Sequence, residues 1–307
     1  MGGDEYGRPE QETARVSAMR SALERYRAYW PLTARQLYYA VVAEGGAGLW
    51  LDELLGFSGA LRAALLSGQL PAASVAAQGG ERREGGAWED AREFVHSEIE
   101  SFLWGYRRDL MQGQEQYVEV WVEKPEVLDG IAEVATEYCV TTVCCRGVPS
   151  VAFMASLRTR LAEARERAQS PVILFFGDYV PAGGAYLTKV QETLRSEGNL
   201  WEAKVVQLAV TAEDVVKYDL PESVVTRSQK SHGGAEPASV PVELEALPPD
   251  VLADRVRRSI EAQLDMALVN NQRAIQSREA LRLGKLRASI MRRVRAVLRE
   301  QMPAEER

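Results

Sequence analysis

Charged side chains follow three apolar segments, at the point where each segment ends. Glu123 and Lys124 follow "YVEVWV", Arg146 follows "CVTTVCC", and Asp178 follows "PVILFFG". If these segments are parallel strands of one sheet, the four residues lie at its carboxyl edge, where open parallel sheets bind ligands. Two acids at adjacent strand ends can share a hard cation such as Mg²⁺, and Lys124 and Arg146 can hold a phosphate. The pattern therefore predicts a metal or phosphate site.

Each of these residues also has an ordinary structural interpretation. Asp178 could cap the turn that begins before Pro181, which is a frequent use of aspartate. Glu123 and Lys124 could simply stand at an exposed strand end. The joint occurrence of the charges at consecutive strand ends favours the site over these alternatives.

The elements that position these residues alternate along the chain. The segments "YVEVWVE", "CVTTVCC", "PVILFF" and "AKVVQLAV" have the apolar, β-branched character of strands, and amphipathic helical segments separate them. Such alternation predicts an α/β fold with a parallel sheet. Ahead of it, a mostly helical region contains "PLTARQLYYAVVAEGG", where Thr33 is the expected N-cap and Gly45 the expected stop.

The charge distribution limits the function classes. The net charge of −7 argues against a chain with a basic surface throughout, but Leu281–Glu300 carries seven cations against one acid. This stripe, which includes Arg292 and Arg293, is either a solvated helix face or a contact surface for nucleic acid. The chain lacks a long apolar run, a Gly-rich phosphate loop and a G-x-S-x-G elbow, so a membrane span, dinucleotide or NTP chemistry and serine hydrolysis find no support.

Three segments in this order, "EVWVEKPEVLDGI", "CCRGVPSVA" and "LFFGDYVPAGG", together resemble a toprim domain, the metal-binding module of topoisomerases and primases. "LTARQLYYAVVA" ahead of them resembles the winged-helix segment of the DNA-cleaving subunit of topoisomerase VI and of the related transesterases that make meiotic double-strand breaks. "VELEALPP" resembles the tail of short stand-alone bacterial members of this superfamily. The resemblance spans roughly residues 15–260.

The resemblance implies roles for four residues. Tyr39 matches the nucleophile that attacks a DNA phosphodiester and becomes covalently linked to it. Arg35, one helical turn earlier, would hold the scissile phosphate. Glu123 and Asp178 match the acids that bind Mg²⁺, and the resemblance also implies that Glu123 is a catalytic residue. An open alternative is that Tyr38 and Tyr39 are an aromatic pair that packs a small helical domain.

One position departs from the family pattern. Where the family has D-x-D, this chain has Asp178-Tyr179-Val180, and valine cannot ligate a cation. We therefore expect Mg²⁺ or Mn²⁺ to bind weakly or not at all. Three interpretations stay open: a weakened tyrosine transesterase, a non-catalytic DNA- or protein-binding module of the same fold, and a hydrolytic nuclease.

The resemblance also implies a domain order and partners. We expect a winged-helix-like domain over residues 1–85, a linker helix over 86–115, a toprim domain over 116–225, and a loop with C-terminal helices over 226–307. The implied partners are DNA, a second copy of the chain in a homodimer, and a separate ATPase subunit. Since the first residues do not have the pattern of a signal peptide, we expect a cytoplasmic, nucleoid-associated protein without a membrane partner.

Overall fold

The computed structural model describes residues 9–45, 53–76, 87–145, 151–180, 188, 191, 192, 195, 203–221, 223 and 241–301. The chain folds into two compact units. Unit 1 comprises Met1–Gly79 and Glu115–Leu264, and unit 2 comprises Gly80–Gln114 and Asp265–Arg307.

Unit 1 contains the sheet that the sequence predicts. Its strands are β1 (Gln116–Val122), β2 (Thr141–Cys144), β3 (Ser170–Phe176) and β4 (Lys204–Ala209). They are all parallel, in the order β2-β1-β3-β4. The α/β class is therefore confirmed.

The helices of unit 1 fall before, between and after the strands. They are α1 (Pro9–Arg25), α2 (Ala34–Ala43), α3 (Glu53–Leu66), α5 (Leu128–Thr136), α6 (Val151–Glu166), α7 (Ala212–Lys217) and α8 (Pro249–Glu261). The helical segment that the sequence predicts between "PVILFF" and "AKVVQLAV" falls largely outside the described residues.

Local sequence explains how α2 begins and ends. The Thr33 side chain accepts a hydrogen bond from the Gln36 amide, and the Gln36 side chain accepts one from the Thr33 amide. This capping box confirms Thr33 as the N-cap, since it satisfies two amides that have no partner inside the helix. The chain leaves the helix through Gly45, whose φ of +86° favours glycine.

The two central strands, β1 and β3, are mostly buried, and one face of the sheet carries a large apolar cluster. Trp121, Ile173 and Phe175 pack there with Leu157 and Leu161 of α6. Strands covered on both faces are expected to be continuously apolar, as β1 and β3 mostly are.

One acid interrupts this pattern. Glu119 of β1 has only 1% of its side chain exposed. It accepts hydrogen bonds from Tyr117 at 2.7 Å, from Trp121 at 2.8 Å and from Arg160 at 2.6 Å. These partners satisfy the buried carboxylate, so Glu119 is a structural residue of the sheet.

Unit 2 is built from α4 (Ala91–Ser101) and the 36-residue helix α9 (Met266–Gln301). The segment after α4 is tied to α9 by Arg108, which contacts Glu279 at 3.0 Å and Gln272 at 2.5 Å. Within the described ranges, none of the helices combines the length and apolar character that a membrane span requires.

Candidate functional site

The strand order creates a topological switch point between β1 and β3. From β1 the chain continues to β2, which lies beside β1 at one edge of the sheet. The later strands β3 and β4 lie on the opposite side of β1 within the sheet. Crevices that bind ligands form at such a point, beyond the carboxyl ends of the strands. Glu123 follows β1 and Asp178 follows β3, so the structure brings these two predicted site residues to the switch point.

Glu123 and Asp178 are in direct contact. The Asp178 amide donates a hydrogen bond to Glu123 Oε2 at 3.1 Å, and the Glu123 amide donates to the Phe176 carbonyl at 2.9 Å. Burial raises the pKa of Glu123, and the nearby negative charge of Asp178 raises it further. Burial also raises the pKa of Asp178, although Lys124 opposes this shift.

Gly177 allows this close approach. A Cβ atom at this position would lie 2.5 Å from Glu123 Oε2 and 2.7 Å from the ring of Phe175. The Gly177 amide donates a hydrogen bond at 2.9 Å to the carbonyl of Ala209, the last residue of β4, and the Val210 amide donates one at 2.7 Å to the Gly177 carbonyl. These two bonds hold the backbone of Gly177 in place. The glycine in "FFGD" is therefore required by space.

A segment from late in the chain, residues 242–245, covers the switch point, and we call it the covering segment. Tyr179 and Val242 form an antiparallel bridge with hydrogen bonds of 2.8 and 2.9 Å. The Leu244 amide then donates to Asp178 Oδ1 at 2.8 Å. This arrangement directs Glu243 and Glu245 inward, with 3% and 1% of their side chains exposed.

Lys124 lies among three carboxylates. Its Nζ is 3.1 Å from Asp178 Oδ2, 3.3 Å from Glu243 Oε2 and 3.0 Å from Glu245 Oε2. An ammonium group has three N–H donors, so three carboxylates can use all of them. Burial acts to lower the pKa of Lys124, but the three carboxylates outweigh it and raise the pKa to about 12.

Arg35 of α2 contacts two of these three carboxylates. Its guanidinium pairs with Glu243 at 2.5 Å and lies 3.8 Å from Glu245. Burial acts to lower the pKa of Arg35, but the charges of these two acids outweigh it and raise the pKa. Arg35 therefore binds the chain's own carboxylates where the resemblance implies a scissile phosphate.

Two hydroxyl groups complete the cluster. Ser223 donates to Glu243 Oε1 at 2.7 Å, and Thr33 donates to Glu245 Oε1 at 3.3 Å. Burial acts to raise the pKa of Glu243, but Lys124, Ser223 and Arg35 outweigh it and lower the pKa. We call the six charged residues of this network the strand-end cluster: Arg35, Glu123, Lys124, Asp178, Glu243 and Glu245.

Tyr39 is buried, with 3% of the residue exposed. Tyr38 is equally buried, and its ring contacts those of Tyr39 and Phe57 edge-to-face, at centroid distances of 5.4 and 5.3 Å. This is the packing that the alternative interpretation of the pair describes. Tyr39 lies on α2, one helical turn after Arg35.

The sequence singles out four other positions, Arg146, Val180, Arg292 and Arg293. Arg146 is outside the described residues. Val180, which stands in place of the second acid, is 37% exposed, directly after the Tyr179 bridge. Arg292 and Arg293 are exposed on α9 of unit 2.

The strand-end cluster contains the right kind of ligand for Mg²⁺ but does not offer it a site. Both carboxylate oxygens of Asp178, Glu243 and Glu245 already accept from an ammonium, guanidinium, hydroxyl or amide group of the chain. Throughout the described residues, no three His, Cys, Asp or Glu side chains are grouped as metal ligands. The residues as arranged therefore do not fit a divalent cation.

Sequence reasoning missed Glu243 and Glu245. The alternation of the two acids with Val242 and Leu244 is the pattern of an extended segment with one polar face. In the structure Leu244–Ala246 forms a 3-10 helix and all four side chains are buried. The acids can be buried because of Lys124 and Arg35, which lie far away in the sequence.

No protein-family model matches this chain, and no curated protein matches it.

Proposed function

We propose that this chain binds DNA, and that α9 of unit 2 supplies the main contact surface. The observation that carries the proposal is the absence of acids from Ala280 to Arg299, in a chain whose net charge is −7. The described cations on this part of α9 are Arg282, Lys285, Arg287, Arg292, Arg293 and Arg295, and all but Arg287 are exposed. A local concentration of cations governs binding to phosphates more strongly than the total charge does.

A second feature of unit 2 supports nucleic acid as the ligand. Trp104 is 70% exposed, and the Arg287 guanidinium lies 5.1 Å from its ring centroid. Arg287 also donates to the carbonyls of Phe102 at 2.9 Å and Glu100 at 2.8 Å, which fixes the guanidinium beside the ring. An ordered aromatic ring next to cations is the combination on which unpaired bases stack.

The test is the salt dependence of binding to a fluorescein-labelled oligonucleotide, measured by anisotropy on the full chain. We expect Arg292→Gln with Arg293→Gln to weaken binding and to reduce the slope of log K against log salt by about 2. The charge-matched control is Arg62→Gln with Arg158→Gln, two exposed positions of unit 1. EDTA should leave binding unchanged.

Two results would contradict this proposal. One is equal affinity and salt slope in wild type and the α9 variant. The other is an equal loss in the unit 1 control, which would mean that only the total charge matters. If neither single-stranded nor duplex DNA binds, the proposal is overturned, and the basic surface contacts either an acidic protein partner or only solvent.

A second candidate is DNA cleavage through Tyr39, as the resemblance to the DNA-cleaving subunit of topoisomerase VI implies. The observation in its favour is that Tyr39 lies on α2 one helical turn after Arg35, which is paired with Glu243 in the strand-end cluster. The burial of Tyr39 acts against it, because its hydroxyl must reach a phosphodiester. Cleavage by this route would therefore require α2 to move.

Supercoiled plasmid incubated with the protein and then denatured tests this candidate. Protein-linked ends that disappear in Tyr39→Phe would support transesterification. Equally intact DNA with wild type and Tyr39→Phe would exclude it. Cuts that survive Tyr39→Phe and vanish in Glu123→Gln would indicate hydrolysis instead.

A further inference from the structure

We propose that Lys124 is the resident counter-cation of the strand-end cluster, and that its ammonium occupies the place a divalent cation would otherwise take. The proposal concerns unit 1 alone and holds whether or not the chain binds nucleic acid. It explains why carboxylates gathered at a switch point do not leave a metal site open.

The geometry of the ammonium group carries the first step. Lys124 Nζ lies within 3.3 Å of oxygens from Asp178, Glu243 and Glu245. These oxygens converge on one point from β3 and from the covering segment. A cation that attracts all three must stand at that point, and Lys124 already does.

Burial carries the second step. Only 18% of the Lys124 side chain is exposed. The exposed fraction is 23% for the side chain of Asp178, 3% for that of Glu243 and 1% for that of Glu245. Charges with so little water around them need partners inside the protein, because an uncompensated buried charge is strongly destabilising. Removal of the ammonium would therefore leave a strong attraction for any other cation.

Charge balance carries the third step. The cluster holds four carboxylates, of Glu123, Asp178, Glu243 and Glu245, but only the cations of Lys124 and Arg35. Arg35 pairs with Glu243 and lies near Glu245, at the side of the cluster formed by α2. Lys124 is the cation that joins Asp178 to the covering segment, so its loss cannot be made good by Arg35.

The experiment measures Mn²⁺ binding by electron paramagnetic resonance on the full chain, with thermal unfolding in Mg²⁺ and in EDTA at equal ionic strength. Wild type should bind no Mn²⁺ at the cluster and should unfold at the same temperature in both buffers. Lys124→Gln should unfold at a lower temperature in EDTA and recover part of the loss in Mg²⁺. Its apparent affinity for Mn²⁺ should rise about tenfold or more, because a unit positive charge has left a buried site.

Lys204→Gln is the matched control, since Lys204 is an exposed lysine of unit 1 at the start of β4. It removes the same charge and should change neither Mn²⁺ binding nor the response to Mg²⁺. An equal effect in this control would overturn the proposal, because total charge would then be the cause.

Four further results would each decide the question. Mn²⁺ binding by wild type that Asp178→Asn abolishes would overturn the proposal, as would a Lys124→Gln variant that ignores Mn²⁺. If Lys124→Gln is unfolded in EDTA but regains its circular-dichroism spectrum in Mn²⁺, the proposal is supported. If it stays unfolded in both, an ion cannot replace the lysine and the proposal fails.

Discussion

Gly177 offers the sharpest test of how the strand ends are packed. In Gly177→Ala the new methyl group would lie 2.5 Å from Glu123 Oε2 and between 2.7 and 2.9 Å from two ring atoms of Phe175. Phe175 is 2% exposed within the apolar cluster, and the Gly177 backbone is held by its bonds to Ala209 and Val210. The Glu123 carboxylate, at the end of a flexible side chain, can move away, whereas the Phe175 ring can shift only by disturbing the apolar cluster around it.

The expected cost has two parts. Overpacking a filled site costs about 1–3 kcal/mol. Moving the carboxylate also breaks its hydrogen bond from the Asp178 amide, and a bond to a charged group contributes about 1.5–3 kcal/mol. Because the two effects share the same side chain and are not additive, we expect a loss of about 2–4 kcal/mol in the free energy of unfolding.

The assay is urea unfolding followed by circular dichroism, with hydrogen exchange at the Asp178 amide as a local measurement. Gly130→Ala is the control, because a Cβ at this position in α5 meets nothing within 4 Å. It should be stabilised by about 0.5–1 kcal/mol, since alanine favours a helix more than glycine does. In the double variant with Glu123→Ala, part of the Gly177→Ala loss should return.

The explanation fails if Gly177→Ala is as stable as wild type with unchanged exchange at Asp178. It also fails if Glu123→Ala gives no recovery, because the clash would then lie with Phe175 alone. A change in the slope of the unfolding curve would show that compactness changed as well, and the free energies would then not be comparable.

Two ion pairs outside the strand-end cluster give the remaining predictions. Burial acts to raise the pKa of Asp214, but hydrogen bonds from Arg255 and Thr211 outweigh it and hold the pKa below its usual value. Asp214→Asn should therefore lower the free energy of unfolding by about 3–5 kcal/mol at neutral pH. The difference from wild type, measured by urea unfolding, should shrink as the pH falls through the folded-state pKa of Asp214, because wild type then loses the ion pair too. Arg160→Met should lower the midpoint of thermal unfolding, because it leaves Glu119 without its cation. Arg160→Lys should recover only part of the loss, because a lysine cannot make the bidentate contact of a guanidinium. Equal midpoints for Arg160→Met and wild type would contradict this account.

The sequence predicts the elements of this fold well because their causes are local. The four strands follow from runs of apolar residues, and the caps at Thr33 and Thr211 follow from side chains within three residues of the amides that they bind. The meeting of Glu123 with Asp178 follows from a general property of parallel sheets. These features need no knowledge of the rest of the chain.

The candidate site is less predictable because its partners are distant. Nothing near Lys124 in the sequence indicates that its ammonium faces acids more than a hundred positions later. The burial of Tyr39 is also a tertiary effect, because five consecutive residues of α2, Leu37 to Val41, are buried and leave this stretch no solvent face. A periodic pattern cannot reveal burial on all sides.

The covering segment sets an order of events during folding. Leu244 binds Asp178 across 66 positions, and Glu245 binds Thr33 across 212. Contacts across such distances form late, because the entropy of closing the intervening loops must be overcome first. On the ribosome, Arg35 and Lys124 emerge long before Glu243 and Glu245 and meet water and soluble anions in the interval. We therefore expect a nascent chain that stops before residue 241 to hold an open switch point in which Arg35 and Lys124 are balanced only by Glu123 and Asp178. The last part of unit 1 then adds two further carboxylates.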